Sequence, residues 1–220
     1  INEGTVDFAK NYDGKFDEPV LLPARLPFGL LNGSFGIPVG FSTRIPSHNL
    51  REVAEAAAYV LRHPKAKVED VLEILPGPDF PGGGQVISPP EEIREAYATG
   101  RGSFRVRARW TEEKLSHGQY RIVVTEVPYQ IQKSKLIERI AALMDERKLP
   151  FLADIRDEST EEVRIVLEPK TRTVDAAQLM EQLFRQTDLE IRFGLNMNVL
   201  GADGIPRVME LRKVLQAYLD

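Results

Sequence analysis

Glycine and proline constrain the backbone of residues 32–49, which read NGSFGIPVGFSTRIPSHN. Gly33, Gly36 and Gly40 divide this stretch into short apolar pieces of the kind found in β-structure. Pro46 has a fixed φ and no backbone N–H, so the chain must leave a sheet there. The stretch therefore predicts β-structure that ends at a corner, with an apolar side chain beside it.

The corner carries a candidate functional residue, Ile45, which lies between Arg44 and Pro46. Alternating apolar residues predict the preceding strand, from Gly36 to Thr43. An apolar side chain beside a cation at the tip of a rigid loop suits a wedge that separates stacked base pairs. The alternative is an isoleucine that turns inward and caps the core, as most isoleucines do. The alternating residues of the strand are Ile37, Val39 and Phe41.

The rest of the chain mixes helix and strand patterns without strict alternation. A hairpin is predicted near His117, and Ser88 is predicted to cap a helix that ends at Gly100. This arrangement predicts the α+β class, with a mixed, largely antiparallel sheet and flanking helices. The predicted helices cover about 49–62, 67–75, 89–99, 133–147, 174–186 and 208–219, and the further strands about 103–111, 120–127, 152–157, 162–168 and 191–200.

The first 31 residues are predicted to form an extended, proline-rich arm that runs over a surface. Pro19, Pro23 and Pro27 are spaced four apart, which forbids a helix. Three aromatic residues are expected to hold the arm against the protein: Phe8, Tyr12 and Phe16.

A second candidate site is the strand of residues 103–111. On one strand, Arg105, Arg107 and Arg109 would point to the same face, roughly 7 Å apart, close to the phosphate spacing of a DNA strand. At the start of the following helix, Lys133 and Lys135 would extend this cationic surface. The alternative is a solvated face on which the arginines pair with Glu112, Glu113 and Glu126.

Charge and composition limit the classes of function. The net charge is −4 and the pI about 5.6, which argues mildly against a nucleic-acid partner. Cysteine is absent, which excludes disulfides and thiolate chemistry and is compatible with the cytoplasm. No nucleotide-binding or hydrolase motif is present. The acidic residues around Arg156, which are Asp154, Asp157 and Glu158, favour an ion network over a metal site.

A resemblance covers almost the whole chain. The motifs resemble the breakage-reunion (A-type) chains of bacterial type IIA topoisomerases, and residues 22–27 and 50–57 are more similar to topoisomerase IV than to gyrase. The motifs that carry it are Thr5–Phe8, Asn11–Gly14, Leu22–Pro27, Leu31–Ser34, Gly36–Ile37, Val39–Gly40, Ile45–Pro46, His48–Leu50, Gly77–Pro81, Gly100–Gly102, Pro128–Gln130 and Arg156–Ser159.

The resemblance implies a DNA-bending role inside a larger enzyme. Residues 1–31 would be the tail of a winged-helix domain, 32–206 a tower domain that flanks the DNA, and 207–220 the start of a helix leading to a coiled coil. The isoleucine matching Ile45 would insert between base pairs, and Arg44 would contact a phosphate. Pro38, Phe41, Ser42 and Ser47 depart from the family pattern around this loop.

The same resemblance implies which parts of the chemistry lie elsewhere. The catalytic tyrosine would lie upstream of Ile1, so no catalytic residue, cofactor or metal site is expected in this chain. Magnesium and ATP would be used by the partner subunit. The implied partners are double-stranded DNA, the B subunit of topoisomerase IV and a second A subunit, in the bacterial cytoplasm. The alternative hypothesis is a structural spacer that meets the partner subunit without touching DNA.

Overall fold

The computed structural model describes residues 4–22, 24–37 and 40–220 and confirms the α+β class. All of the strand pairs in these ranges are antiparallel. The strands are β1 Phe8–Lys10, β2 Asp17–Pro19, β3 Ser34–Gly36, β4 Thr43–Ile45, β5 Gln85–Val86, β6 Arg101–Arg107, β7 Arg109–Lys114, β8 Tyr120–Glu126, β9 Leu152–Asp157, β10 Ile165–Pro169, β11 Glu190–Asn196, β12 Asn198–Leu200 and β13 Pro206–Val208. The helices are α1 Phe28–Leu31, α2 Leu50–Arg62, α3 Val68–Leu72, α4 Pro90–Thr99, α5 Lys133–Asp145, α6 Ala176–Gln186 and α7 Leu211–Leu219.

A five-stranded sheet in the order β3-β4-β11-β6-β5 organises the first core. Helices α2, α3, α4 and α7 contribute their apolar residues to it. Helix α2 begins as predicted, since the Asn49 side chain accepts hydrogen bonds from the N–H groups of Arg51 and Glu52. It ends as predicted too, at His63 before a proline.

A four-stranded sheet in the order β7-β8-β10-β9 organises the second core, against α5 and α6. A smaller cluster of Phe80, Val106 and Phe193 adds aromatic packing beside β6 and β11. Phe80 lies 5.2 Å from Phe193 and 5.5 Å from Tyr129, measured between ring centroids.

The strand predicted for residues 103–111 is two strands in different sheets. β6 belongs to the five-stranded sheet and β7 to the four-stranded sheet, and the chain crosses between them at Ala108. The Ala108 N–H donates to the carbonyl oxygen of Leu189, and the Ala108 side chain is buried in the second core. A register shift between Arg109 and Trp110 follows the crossover.

The N-terminal arm also differs from the prediction. β1 and β2 form a hairpin, and α1 makes a short helical turn directly after Pro27. The aromatic residues expected to hold the arm down, Phe8, Tyr12 and Phe16, are exposed. Pro23 lies outside the described residues.

The remaining differences are local. Ser88 does not cap α4: its hydroxyl accepts from the Arg105 N–H, which ties the helix entrance to β6. The strand predicted for 191–200 is interrupted at Met197, whose N–H donates to the Gly100 carbonyl. The predicted end of α4 at Gly100 is confirmed, and the glycine has a left-handed φ of 75° there.

Candidate nucleic-acid interface

The β3–β4 hairpin ends in a group of exposed apolar side chains. Here β3 ends at Gly36 and β4 begins at Thr43, so the strand predicted over these residues is wrong. Gly40 has φ at 94°, a left-handed conformation that favours glycine and interrupts a strand. Val39 lies outside the described residues.

We call the exposed side chains of this hairpin, Phe35, Ile37 and Phe41, the apolar tip. Ile37 is 77% exposed and Phe35 70% exposed, and Phe41 is also on the surface. Most large apolar residues of the chain are in its cores, so neighbouring exposed side chains of this size need an explanation. The flanking Gly36 and Gly40 were the sequence signal that this segment is a loop tip rather than a strand.

Ile45 does not have the exposed position that the sequence analysis expected. It is only 4% exposed and belongs to the first core, with residues such as Val53 of α2 and Leu195 of β11. The structure agrees instead with the alternative hypothesis, in which the isoleucine turns inward and caps the core. A side chain held there cannot reach a DNA duplex unless the hairpin separates from the helices beneath it.

The base of the hairpin is held by close backbone packing. Gly33 has φ at 73°, and a Cβ there would lie 2.6 Å from the Ile45 carbonyl oxygen and 3.0 Å from the Ser47 nitrogen. The Ser47 hydroxyl donates to the Asp79 carbonyl at 2.7 Å. The base beneath the apolar tip is therefore anchored to the first core.

His48 joins this base to α1 and α4. Its Nδ1 lies 2.8 Å from the Leu30 carbonyl oxygen and its Nε2 2.7 Å from the Tyr97 hydroxyl oxygen. Because a carbonyl only accepts, Nδ1 carries the proton in the neutral ring, and Tyr97 donates to Nε2. Burial lowers the pKa of His48 to about 4, and burial also raises the pKa of Tyr97.

This buried histidine makes stability depend on pH. Since the pKa of His48 is about 4 in the folded chain and 6.5 ordinarily, the unfolded chain binds more protons between these values. We expect the free energy of unfolding to fall by up to about 3 kcal/mol as the pH drops from 7 to 4. Denaturant titrations at several pH values measure this fall. His48→Gln should flatten that part of the profile, and an equally steep profile in the variant would contradict the assignment.

Arg44 lies across the five-stranded sheet beside the apolar tip. Its guanidinium carbon is 4.5 Å from the centre of the Phe193 ring and 5.9 Å from that of Phe35. Its Cδ would be 3.8 Å from a Cβ at Gly194, so the side chain crosses this glycine. Its Nε is buried and has no hydrogen-bond partner among the described residues.

The three arginines predicted as one row are separated and paired. Arg105 and Arg107 lie on β6, whereas Arg109 lies on β7 in the other sheet. The Nε atoms of Arg105 and Arg107 both donate to Glu190. Arg107 also pairs with Glu181 at 2.7 Å and lies over the Phe184 ring, and Arg109 pairs with Glu126 at 3.0 Å. The arginines therefore agree better with the alternative hypothesis, in which they pair with glutamates. Of the glutamates expected as partners, only Glu126 is one.

The other charged candidates are placed as follows. Lys133 pairs with Asp157 at 3.0 Å, and Lys135 is exposed on α5. Arg156 pairs with Asp154, Glu158 and Glu168 at 3.0, 3.7 and 2.8 Å on the surface. Two of the three acids predicted for this ion network are therefore part of it, whereas the third, Asp157, pairs with Lys133. Among the residues that the structure describes, no group of three or more His, Asp or Glu side chains could hold a metal ion. Within the same ranges, none of the helices has the length and apolar character needed to cross a membrane.

Comparison with known proteins gives one consistent result. The family that comprises the A subunits of DNA gyrase and topoisomerase IV matches residues 1–220. The chain is 52% identical over 219 residues to the A subunit of DNA topoisomerase 4 from Rickettsia conorii. It is 49% identical to the protein of that name from Caulobacter vibrioides and 48% identical to that from Haemophilus influenzae. All of this chain is covered in each case, but only 29–30% of each relative. The relatives' names agree with the predicted similarity to topoisomerase IV, and the chain belongs to the family of DNA gyrase and topoisomerase IV A subunits.

Proposed function

We propose that this chain is a DNA-binding and DNA-bending part of the breakage-reunion subunit of a type II topoisomerase. In the full enzyme this subunit would serve ATP-dependent passage of one duplex through another. The chain spans about 30% of its relatives' length, so most of the subunit lies outside these 220 residues. Family membership and the apolar tip together support the proposal.

The observation that carries the bending role is the 77% exposure of Ile37 on a hairpin whose base is held by the packing of Gly33 and Ser47. Unstacking a base step costs a few kcal/mol, and an apolar side chain inserted between bases offsets part of that cost. Full burial of an isoleucine contributes about 1.5–3 kcal/mol. Ile37 therefore replaces Ile45 as the proposed wedge, and Phe35 stands next to it.

The residues that cleave DNA would lie outside this chain. The tyrosine that attacks DNA would lie in the remaining part of the same polypeptide, and ATP and magnesium would be used by the partner subunit. The chain itself would then be inactive alone. Its partners would be double-stranded DNA, the B subunit of topoisomerase IV and a second A subunit, at the nucleoid of a bacterial cytoplasm. The boundaries at residues 31 and 206 belong to the same proposal.

The test is Ile37→Ala in the full-length breakage-reunion subunit, studied in complex with its partner subunit. Bending is measured by energy transfer between dyes at the ends of a duplex. Losing the larger side chain should cost about 2 kcal/mol of insertion energy, a fall of roughly 30-fold in the bent-to-straight ratio. The matched control is Ile205→Ala, since Ile205 is 55% exposed and lies between β12 and β13.

The outcomes separate the two hypotheses for the chain. Unchanged bending in the Ile37 variant would contradict the wedge. If DNA bending and affinity were insensitive to substitutions anywhere on this chain, the spacer hypothesis would be correct instead.

A further inference from the structure

The four-stranded sheet, with α5 and α6, is an insertion into the five-stranded sheet. β6 leads into it and β11 returns from it, and these two strands pair from Arg101 opposite Asn196 to Arg107 opposite Glu190. The chain therefore leaves the five-stranded sheet and returns to it at adjacent points. We call residues 109–188 the inserted module, and the five-stranded sheet with its helices the five-stranded module. Each module has its own apolar core.

Two hydrogen bonds join the modules close to the crossover. The Ala108 N–H donates to the Leu189 carbonyl oxygen at 2.8 Å, so the two crossing points are bonded to each other. The Glu126 carboxylate accepts from the Gly84 N–H, also at 2.8 Å. Glu126 lies opposite Arg109, the residue directly after the crossover. Two attachment points this close together define an axis, and they leave rotation about that axis open.

Aromatic packing adds contact between the modules without a directional bond. The Tyr129 ring, from the loop after β8, lies 5.5 Å from the Phe80 ring and 6.3 Å from the Phe193 ring, measured between centroids. Packed groups can slide past one another by small amounts, as they do in shear motions. These rings therefore resist separation of the modules more than they resist rotation.

Arg107, the last residue of β6, binds both modules through one guanidinium. Its two terminal nitrogens donate to the two carboxylate oxygens of Glu181 on α6, at 2.7 and 3.3 Å. Its Nε donates to Glu190 on β11. The guanidinium carbon also lies 4.4 Å from the centre of the Phe184 ring, about one turn further along α6. A planar guanidinium that binds both oxygens of a carboxylate fixes its orientation as well as its distance.

The pair of Arg107 and Glu181 has no counterpart elsewhere between the modules. Every other ion pair among the described residues has both partners in the same module or in the N-terminal hairpin. The Arg107 side chain is only 23% exposed, so solvent and salt screen this pair less than a fully exposed one. The orientation of α6 relative to β6 therefore depends on one arginine.

We infer that Arg107 is a positioning residue, which sets the rotation of the inserted module about the crossover at Ala108 and Leu189. It thereby fixes where the inserted module stands relative to the sheet that carries the apolar tip. Ser116 lies eight residues beyond Ala108, about 27 Å away along β7. A rotation of about 15°, the size found in a rigid-body switch, would move Ser116 by about 7 Å. The loss of the Arg107 contacts should therefore appear as a displacement of that end.

The experiment measures the distance between two spin labels by pulsed electron resonance in the full-length breakage-reunion subunit. The labels are attached at Ala54→Cys on α2 and at Ser116→Cys, both exposed positions in a chain that has no cysteine of its own. Cysteines elsewhere in the subunit are replaced, and the labelled subunit is diluted with unlabelled subunit so that only distances within one polypeptide are read. Arg107→Met keeps an apolar stem over Phe184 but removes every hydrogen bond. We expect it to shift the mean distance by about 5 Å or more, or to widen the distribution roughly two-fold.

Two further variants make the measurement specific. Arg156→Met is the matched control, because Arg156 also binds three carboxylates but all of them belong to the inserted module. It should leave the distance unchanged. Glu181→Gln removes only the partner on α6 and leaves the bond from Arg107 to Glu190 in place. It should change the distance in the same direction as Arg107→Met.

Unchanged distances in Arg107→Met and Glu181→Gln would overturn the inference, as would an equal change in Arg156→Met. Thermal unfolding of each variant separates positioning from stability: a displaced label at an unchanged unfolding temperature supports the inference, and a displacement seen only with a lowered temperature rejects it. If Arg107→Met does not fold, Glu181→Gln decides, since the Glu181 side chain is 46% exposed. The distances are measured without DNA, so they test Arg107 whether or not Ile37 is the wedge.

Discussion

Replacing Ile45 with alanine is expected to lower the free energy of unfolding by about 2–5 kcal/mol. The side chain is 4% exposed and packs in the first core, so its removal leaves a cavity between β4 and α2. Because Gly33 packs tightly against the Ile45 carbonyl, the backbone has little freedom to collapse into that space. Equilibrium denaturation followed by circular dichroism measures the effect.

The matched control for this prediction is Ile37→Ala in the same hairpin. Ile37 is largely exposed, and the change should alter stability by no more than about 0.5 kcal/mol. Ile45→Ala is thus expected to change stability, whereas Ile37→Ala is expected to change DNA bending. Equal losses of stability in the two variants, or a neutral Ile45→Ala, would show that the burial described for this hairpin is wrong.

Replacing Gly100 with alanine is expected to cost about 2–5 kcal/mol. Gly100 ends α4 with φ at 75°, which already costs an L-residue about 1–2 kcal/mol. An added Cβ would also collide with the carbonyl oxygen of Met209 and lie 2.8 Å from the Val208 side chain. Relief of that collision would require β13 to move away from the entrance to β6. The same denaturation measurement applies.

Gly204→Ala is the control that separates the cost of the steric collision at Gly100 from the cost of the left-handed backbone conformation. Gly204 has φ at 69°, but no atom would lie within 4 Å of its Cβ, so only about 1–2 kcal/mol is expected. Gly100→Ala should therefore exceed Gly204→Ala by the packing contribution. If the two variants were equally stable, close contact at Gly100 would have no energetic role.

The ends of α2 and the end of α4 were predicted correctly from neighbouring residues. Asn49 and His63 define α2 because capping and helix termination depend on neighbouring residues, and both ends agree with the structure. The left-handed stop at Gly100 has the same local origin. The family, too, followed from short ordered motifs, since these are read directly from the residues.

Elements that depend on distant partners were not predicted. The break at Ala108 lies inside an uninterrupted alternating pattern, and its cause is a hydrogen bond to Leu189 and burial in a second core. The cationic row of Arg105, Arg107 and Arg109 failed for the same reason. Two of its three residues are neutralised by acids that lie far along the chain, Glu181 and Glu190.

The candidate wedge shows most clearly the difference between what local residues determine and what distant partners determine. The sequence by itself determined that residues 32–49 contain short β-structure interrupted by glycine and ended by proline, because these two residue types restrict the backbone locally. It did not determine where the strands lie, since the predicted strand from Gly36 to Thr43 is the turn of the hairpin. Only the tertiary structure decided which isoleucine faces solvent. Ile45 turns toward α2 and β11, whereas Ile37 lies beyond the last residue of β3. Side-chain burial is set by what packs against each face of a hairpin, and the elements that pack here come from other parts of the chain.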